Sequence, residues 1–141
     1  MRVEELMNDA QCCREGDSVR DCARVMKEED IGFVPICNAS GVPVGAVTDR
    51  DLAIRILGEG RTADEMITSV MTRDVVSCRI GDDVRDAERL MREHRTSRVM
   101  ICDAKGKLQG VISLVDLIDV ETDEEAGETL HEVKSDQPSA H

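Results

Sequence analysis

The sequence predicts a mixed α/β (α+β) fold made of two consecutive β-α-β-β-α repeats. Three observations lead to this prediction. Residues 45–52, GAVTDRDL, return later as residues 110–117, GVISLVDL. Further identical residues align at the same spacing, in which Asp116 follows Asp51 by 65 residues. Each copy also shows the same order of strand and helix patterns, which indicates an internal duplication.

The duplication extends over most of the chain. A repeat of about 60 residues buries too little surface to be comfortable alone. We therefore expect the two repeats to share a core as a pseudo-twofold pair with equivalent clefts between them. The identical pairs at this offset include Gly16 and Gly81, Val19 and Val84, Met26 and Met91, Ile36 and Ile101, Cys37 and Cys102, and Gly41 and Gly106.

In the first repeat, a brief strand is predicted near residues 11–14. Ser18 and Asp21 have the spacing of a helix start, and apolar residues follow at helical intervals up to Met26. FVPIC and VPVGAV are predicted to form two short strands, joined by the turn NASG with its glycine. A second helix is predicted for TDRDLAIRIL, with Gly58 as its C-terminal cap.

The second repeat has the same predicted order. A strand near residues 75–78 precedes a helix at 84–93, the strands RVMICD and LQGVI flank the turn DAKG, and a helix begins at Ser113. In the connecting segment, Thr62 opens a T-x-x-E pattern that predicts a further helix start. These patterns divide the chain into repeat 1 at residues 1–60, a linker with helical entry at 61–69, repeat 2 at 70–120 and an acidic C-terminal tail at 121–141.

Charge and hydropathy disfavour several classes of partner. The net charge of −12 argues against nucleic-acid binding through a basic surface. Residues 119–141 contain eight acidic residues and one lysine, so they carry −7 of that charge, and we expect a loose helix or a disordered segment there. No apolar run approaches the roughly 20 residues that cross a bilayer, and no signal peptide pattern is visible. We therefore expect a cytoplasmic protein with no membrane partner.

The six cysteines predict reduced thiols rather than a metal site or a disulfide framework. None of the cysteines forms a C-x-x-C pair, and the three histidines do not have the spacing of metal ligands. We therefore expect no bound metal. Two cysteine positions are duplicated, and the predicted strands that carry them are parallel neighbours. We therefore predict that Cys13–Cys37 and Cys78–Cys102 are close, and that the first pair oxidises more readily. Cys12 is expected to be more exposed. The alternative is that buried thiols simply fill core space.

The repeated motifs resemble those of a tandem cystathionine-β-synthase (CBS) domain pair, or Bateman module. The opening VMTRDVVS and the two G-h-x-[ST]-x-x-D endings carry this resemblance, which covers roughly residues 3–120. The chain is similar in layout to small stand-alone bacterial CBS-pair proteins of the hypoxic response type. The resemblance implies a regulatory, non-catalytic protein that binds an adenosine nucleotide or adenosyl ligand in the cleft between its repeats. AMP, ATP, NAD and S-adenosylmethionine are the expected ligand class. It also implies a homodimer and an unknown effector protein that is reached in trans.

Thr48 and Ser113 stand where a predicted strand ends and a helix begins. Free backbone N–H groups and the helix dipole favour an anion such as phosphate at such a point, and a hydroxyl adds a donor. An aspartate three residues later can accept both hydroxyls of a ribose. By the resemblance, Asp51 and Asp116 would hold the ribose, and Thr48 and Ser113 the phosphate.

Two arginines complete the candidate set. Arg50 could meet a phosphate, whereas Val115 occupies the same place in the second repeat and could not. Arg98 is a candidate cation for the cleft, or equally an arginine that faces solvent.

Several interpretations of these patterns stay open. The [ST]-x-x-D motif is also an ordinary capping box, in which the carboxylate reaches back to the backbone. A ligand-independent dimerisation module, or a thiol-redox sensor that uses Cys13 and Cys37, would fit the same sequence. No His/Cys or Ser/His/Asp constellation predicts an enzyme.

Overall fold

The computed structural model describes residues 1–121, so all but the first residue of the predicted acidic tail lies outside the described residues. A short 3₁₀ helix at Ile67–Ser69 lies between the repeats. The helices are α1 (Val3–Leu6), α2 (Val19–Glu29), α3 (Asp49–Leu52), α4 (Val84–His94) and α5 (Leu114–Glu121). The strands are β1 (Cys13–Arg14), β2 (Phe33–Cys37), β3 (Pro43–Thr48), β4 (Ser77–Arg79), β5 (Arg98–Cys102) and β6 (Leu108–Ser113).

The predicted β-α-β-β-α order is confirmed in both repeats. One three-stranded sheet has the order β1-β2-β3 and the other has the order β4-β5-β6. In the first sheet, β1 runs parallel to β2, as expected for strands joined through helix α2, and β2 pairs antiparallel with β3. The parallel register sets Cys13 opposite Ile36 and Arg14 opposite Cys37.

The two hairpin turns form as their sequences predict. Asn38 Oδ1 accepts hydrogen bonds from the backbone N–H groups of Ser40 and Val42, at 2.9 and 3.1 Å. Asp103 plays the same part in the second repeat through its own side-chain oxygen. Gly41 has a φ of 82°, in the left-handed region that glycine enters at little cost. The turn chemistry therefore accounts for the antiparallel pairing of β2 with β3.

The described residues form two compact units that do not follow chain order. One unit consists of Met1–Asn8, Val76–Ile101 and the described residues from Gly110 onward; the other consists of Asp9–Val75 and Cys102–Gln109. Residues 1–8 thus pack with the second repeat, where Val3 is completely buried and its N–H donates to the Asp82 carbonyl oxygen at 2.8 Å. Each unit has its own apolar core, made of aliphatic, methionine and cysteine side chains.

Gly45 and Gly110 allow two short segments, residues 71–72 and residues 7–8, to pack closely against strands β3 and β6. The backbone of Thr72 exchanges two hydrogen bonds with Ala46, both of 2.9 Å, and Asn8 does the same with Val111 in the other unit. A Cβ on Gly45 would lie 2.6 Å from the Thr72 carbonyl oxygen. A Cβ on Gly110 would lie 2.7 Å from the corresponding oxygen of Asn8. The repeated glycine therefore admits a neighbouring stretch of backbone.

The predicted helix start at Thr62 is wrong. Residues 62–65 form a turn in which the Glu65 N–H donates to the Thr62 carbonyl oxygen at 3.3 Å. The Glu65 carboxylate is bound by the Arg61 guanidinium. No α-helix begins at Thr62, and the helix within residues 61–69 is the short 3₁₀ helix.

Gly58 is the C-terminal cap of the second helix of the first repeat, as predicted. The helix continues beyond α3 as a π-helical turn, Ala53–Leu57, and the Gly58 N–H donates to the Ala53 carbonyl oxygen at 2.9 Å. Gly58 has a right-handed φ of −64°, so it is not a left-handed cap. A Cβ there would lie 2.5 Å from the Ile54 carbonyl oxygen, so the glycine is needed for space. The left-handed conformation occurs two residues later, at Gly60.

Candidate ligand-binding residues

Thr48 lies at the end of strand β3 and caps helix α3. Its Oγ1 accepts a hydrogen bond from the Asp51 N–H at 3.1 Å, and Asp51 Oδ2 accepts one from the Thr48 N–H at 2.9 Å. The capping box is therefore formed, with both side chains half-buried. Ser18 and Asp21 make the same reciprocal pair, with the same two distances, at the start of helix α2.

Capping leaves Asp51 with most of its acceptor capacity. An ionised carboxylate offers about four lone-pair positions. Among the described residues, the Thr48 N–H is the one hydrogen-bond donor that Asp51 receives. The Thr48 hydroxyl accepts from Asp51, which leaves its own proton to donate elsewhere. This pair can therefore cap a helix and still hold polar groups of a ligand.

Arg50 lies between these two residues in sequence and is exposed. Its backbone N–H donates to Asp49 Oδ1 at 2.8 Å, while the Asp49 N–H donates to the Gly32 carbonyl oxygen at 3.0 Å. These contacts fix the backbone at the first turn of α3. They leave the Arg50 side chain at the surface, next to the Thr48–Asp51 pair.

The second repeat builds a more crowded version of the same site. Asp116 Oδ2 accepts from the Ser113 N–H at 2.8 Å, from the Ser113 hydroxyl at 2.9 Å and from the Asn8 side-chain amide at 3.0 Å. Ser113 and Asp116 are half-buried, and Asn8 is exposed. The Ser113 hydroxyl proton is thus used within the pair, unlike that of Thr48.

Arg98 is held close to the start of helix α5. Its guanidinium donates to the carbonyl oxygen and to the hydroxyl of Ser97, at 3.1 and 3.0 Å. The same Ser97 carbonyl oxygen accepts from the Leu114 N–H at 2.9 Å. Arg98 is half-buried rather than fully solvent-facing, and one carbonyl group links it to the first residue of the helix.

The six predicted residues fall into two groups of three. Thr48, Arg50 and Asp51 belong to the unit that contains Asp9–Val75, and Arg98, Ser113 and Asp116 belong to the other unit. Asn8 was not predicted as part of either group. The alignment of VEELMND with ITSVMTRD could have indicated Asn8, because it places the side-chain amide of Asn8 where the other copy has Thr72.

The structure does not pair Cys13 with Cys37, and that prediction is wrong. Parallel partners point to the same face of a sheet, so the register turns Cys13 with Ile36 to one face and Cys37 to the other. Cys13 instead lies in the apolar core beside Cys22 of helix α2, and this neighbour raises the pKa of Cys22. The predicted pair Cys78–Cys102 stays a prediction.

Cys37 instead lies near Cys12. Burial and then the nearby Cys12 thiol raise the pKa of Cys37 to about 12, and the Cys102 thiol raises this pKa as well. Cys12 is exposed, as predicted, and all six thiols are free cysteines.

Residues 1–121 contain neither a metal-binding cluster nor a membrane-spanning helix. No three or more His, Cys, Asp or Glu side chains are grouped as a metal ion would require. None of the helices in this part of the chain combines the length and the apolar character needed to cross a membrane.

Comparison with known sequences identifies relatives of the whole repeat pair. The CBS domain family model matches residues 3–58 and again 67–123. The uncharacterised protein YlbB of Bacillus subtilis is 33% identical over 135 residues, which cover 94% of this chain and 90% of that protein. An uncharacterised protein of Methanopyrus kandleri is 34% identical over 102 residues, or 72% of this chain. The match spans only 52% of the length of that relative.

Solved structures share the fold. A CBS domain protein from Pyrobaculum aerophilum, complexed with AMP, has a TM-score of 0.77 at 23% identity and covers 83% of this chain and 90% of its own. The CBS domain pair of protein MJ0100, in complex with 5′-methylthioadenosine and S-adenosyl-L-methionine, has a TM-score of 0.77 at 20% identity, covering 88% and 98%. Hypoxic Response Protein I, with two coordinated zinc ions, has a TM-score of 0.75 at 24% identity, covering 83% and 96%. The chain therefore belongs to the CBS domain family and carries two copies of the domain in tandem.

Proposed function

We propose that this chain is a regulatory protein that binds an adenosyl ligand and signals to another protein. The observation that carries the proposal is the Thr48–Asp51 pair, whose carboxylate accepts one hydrogen bond from the described residues and keeps further acceptor positions. Proteins of the same fold are complexed with AMP or with S-adenosyl-L-methionine. We favour a sensor over an enzyme, because both matched segments of the chain are CBS domains and the sequence shows no catalytic constellation.

In this proposal each residue of the first site has one task. Asp51 accepts the two ribose hydroxyls, and the Thr48 hydroxyl donates its proton to a phosphate oxygen. The exposed Arg50 adds the positive charge that a phosphate attracts, so ligands with a phosphate should bind more tightly than adenosine. The regulatory output follows from differential affinity, because a ligand shifts only an equilibrium between states that it binds unequally.

The experiment is a ligand screen on the whole chain by calorimetry and thermal shift. AMP, ATP, NAD and S-adenosylmethionine are the four probes, and guanosine monophosphate is the control for the base. We expect saturable binding of at least one adenosyl compound with a rise in melting temperature. If none of the four binds, the proposed function is wrong.

A homodimer belongs to the same proposal, and it would also serve an interaction module that needs no ligand. Ile54 and Leu57 lie on the π-helical turn after α3 with 51% and 79% of their surfaces exposed, and we propose that a second copy of the chain covers them. Light scattering should give about twice the chain mass of 15.6 kDa. The double variant Ile54→Glu/Leu57→Glu should reduce it to the monomer. A monomeric wild-type protein would contradict this part of the proposal.

A further inference from the structure

We propose that Asn8 sets the ligand occupancy of the second repeat by holding Asp116, so that the unmodified chain binds one adenosyl ligand through Asp51. This inference rests on the proposed function. It concerns the difference between the two repeats, which the shared motif alone does not predict.

The first step concerns the number of hydrogen bonds that the Asp116 carboxylate already accepts. Three donors converge on its Oδ2: the Ser113 N–H, the Ser113 hydroxyl and the Asn8 amide, all at 2.8–3.0 Å. One carboxylate oxygen offers about two lone pairs, so three donors saturate Oδ2. A ribose diol that places one hydroxyl on each oxygen of the carboxylate would have to displace a donor. Asp51 accepts one hydrogen bond from the described residues, so a ribose could bind it without displacing a donor.

The second step concerns whether the hydroxyl protons of Ser113 and Thr48 are available to a ligand. The Ser113 hydroxyl donates to Asp116, so its proton is not available for a phosphate. Among the described residues, the Thr48 hydroxyl accepts from the Asp51 N–H and donates to no other group. Release of Asn8 would open a lone pair on Oδ2, and a ribose hydroxyl could then take its place.

The third step is the reason that Asn8 stays in place. Its backbone is fixed by two hydrogen bonds to Val111, with the Asn8 N–H donating at 2.9 Å and its carbonyl oxygen accepting at 3.0 Å. The glycine at position 110 admits this close approach. In the first repeat, Thr72 makes the equivalent backbone bridge to Ala46, but within residues 1–121 its side chain makes no hydrogen bond to Asp51. The same backbone bridge thus presents the Asn8 amide in the second repeat and the shorter Thr72 side chain in the first.

The experiment compares ligand stoichiometry by calorimetry, with AMP as the first probe and S-adenosylmethionine, ATP and NAD as the next. The variants are Asn8→Ala and Asn8→Thr, and the latter introduces the residue type of the first repeat. Thr72→Ala is the matched control at the equivalent bridge. We expect one ligand per wild-type chain and per Thr72→Ala chain, but two per chain for both Asn8 variants. The second site should bind about tenfold to a hundredfold more tightly than in the wild type, as loss of a competing hydrogen bond to a charged group predicts.

The double variant Asn8→Ala/Asp51→Ala assigns the gained site. It should bind one ligand tightly, whereas Asp51→Ala alone should bind at least about tenfold more weakly than the wild type. Asn8→Ala/Asp116→Ala should return to one ligand. If the Asn8 variants keep the wild-type stoichiometry while circular dichroism shows an intact fold, the inference is overturned, whether or not the wild type binds. If the wild type binds no probe but the Asn8 variants bind one, Asn8 masks Asp116 and the proposed role of Asp51 fails.

Discussion

Burial and the nearby exposed thiol of Cys12 together raise the pKa of the Cys37 thiol. Cys13, the next residue, instead lies in the apolar core together with Cys22 of helix α2. Two adjacent cysteines therefore have different surroundings because successive side chains of a strand point to opposite sides. Cys12 is the exposed thiol among these four, so an oxidant should act there first.

Mild peroxide should produce a Cys12–Cys37 disulfide before any other. The peroxide transfers one oxygen to the Cys12 thiolate to give a sulfenic acid and hydroxide, and the Cys37 thiol then displaces that oxygen as water. Burial raises the pKa of Cys37 to about 12, so Cys37 is a poor first target.

Peptide mapping by mass spectrometry tests this order. Cys12→Ser should abolish the early crosslink, while Cys13→Ser, its neighbour on the other face, should leave it unchanged. An early crosslink through Cys13 would show that the register of β1 against β2 is different.

Asp51→Ala should weaken adenosyl binding by at least about 1.5 kcal/mol, the lower end for a hydrogen bond to a charged group. Asp21→Ala is the matched control, because Ser18 and Asp21 form a capping box of the same geometry at another helix. Both variants lose a cap, but only Asp51→Ala should lose ligand affinity in calorimetry. Asp116→Ala should matter less in the wild-type background. Equal affinities for the two variants would mean that Asp51 serves only as a cap.

Gly45→Ala should destabilise the fold by about 1–3 kcal/mol, as overpacking of a buried site does. The new Cβ would meet the Thr72 carbonyl oxygen at 2.6 Å and the Met71 sulfur at 2.8 Å. Gly16→Ala is the control in the same repeat, because a Cβ there has no atom within 4 Å. Urea unfolding of both variants provides the measurement, and similar free energies of unfolding would contradict the close approach of the 71–72 backbone.

Acid should destabilise the protein as pH falls below about 4, the usual range of carboxyl groups. The backbone N–H of Gly81 lowers the pKa of Glu4, and the Ser18 N–H lowers the pKa of Asp21. The Arg61 guanidinium likewise lowers the pKa of Glu65. Since these pKa values are lower in the folded chain, the unfolded chain binds protons first. The stabilisation is therefore present above the unfolded values and is lost as pH falls through the folded ones.

Denaturant titrations between pH 6 and pH 3 measure this slope. Glu4→Gln and Asp21→Asn keep the side-chain shape but cannot titrate, so each should make the free energy of unfolding fall less steeply with acid. A slope that neither substitution changes would indicate that other groups govern acid unfolding.

The sequence by itself determined the repeat, the order of its strands and helices, and the family. These features depend on local patterns, such as the turns at Asn38 and Asp103 and the capping box at Ser18, which form from residues a few positions apart. The paired motifs at Thr48 and Ser113 were predictable for the same reason, since each lies where a strand passes into a helix. What these two pairs bind is still a proposal, because a cap and a ligand site share one local geometry.

Only the tertiary structure decided which distant groups meet. The register of β1 against β2 turned Cys13 away from Cys37, and a shift of one residue along a strand changes the face on which a side chain lies. The pairing of residues 7–8 and 71–72 with the sheet edges required Gly45 and Gly110, and it brought Asn8 to Asp116 across 108 positions of sequence. No local pattern encodes such a contact, because it depends on how separate segments pack.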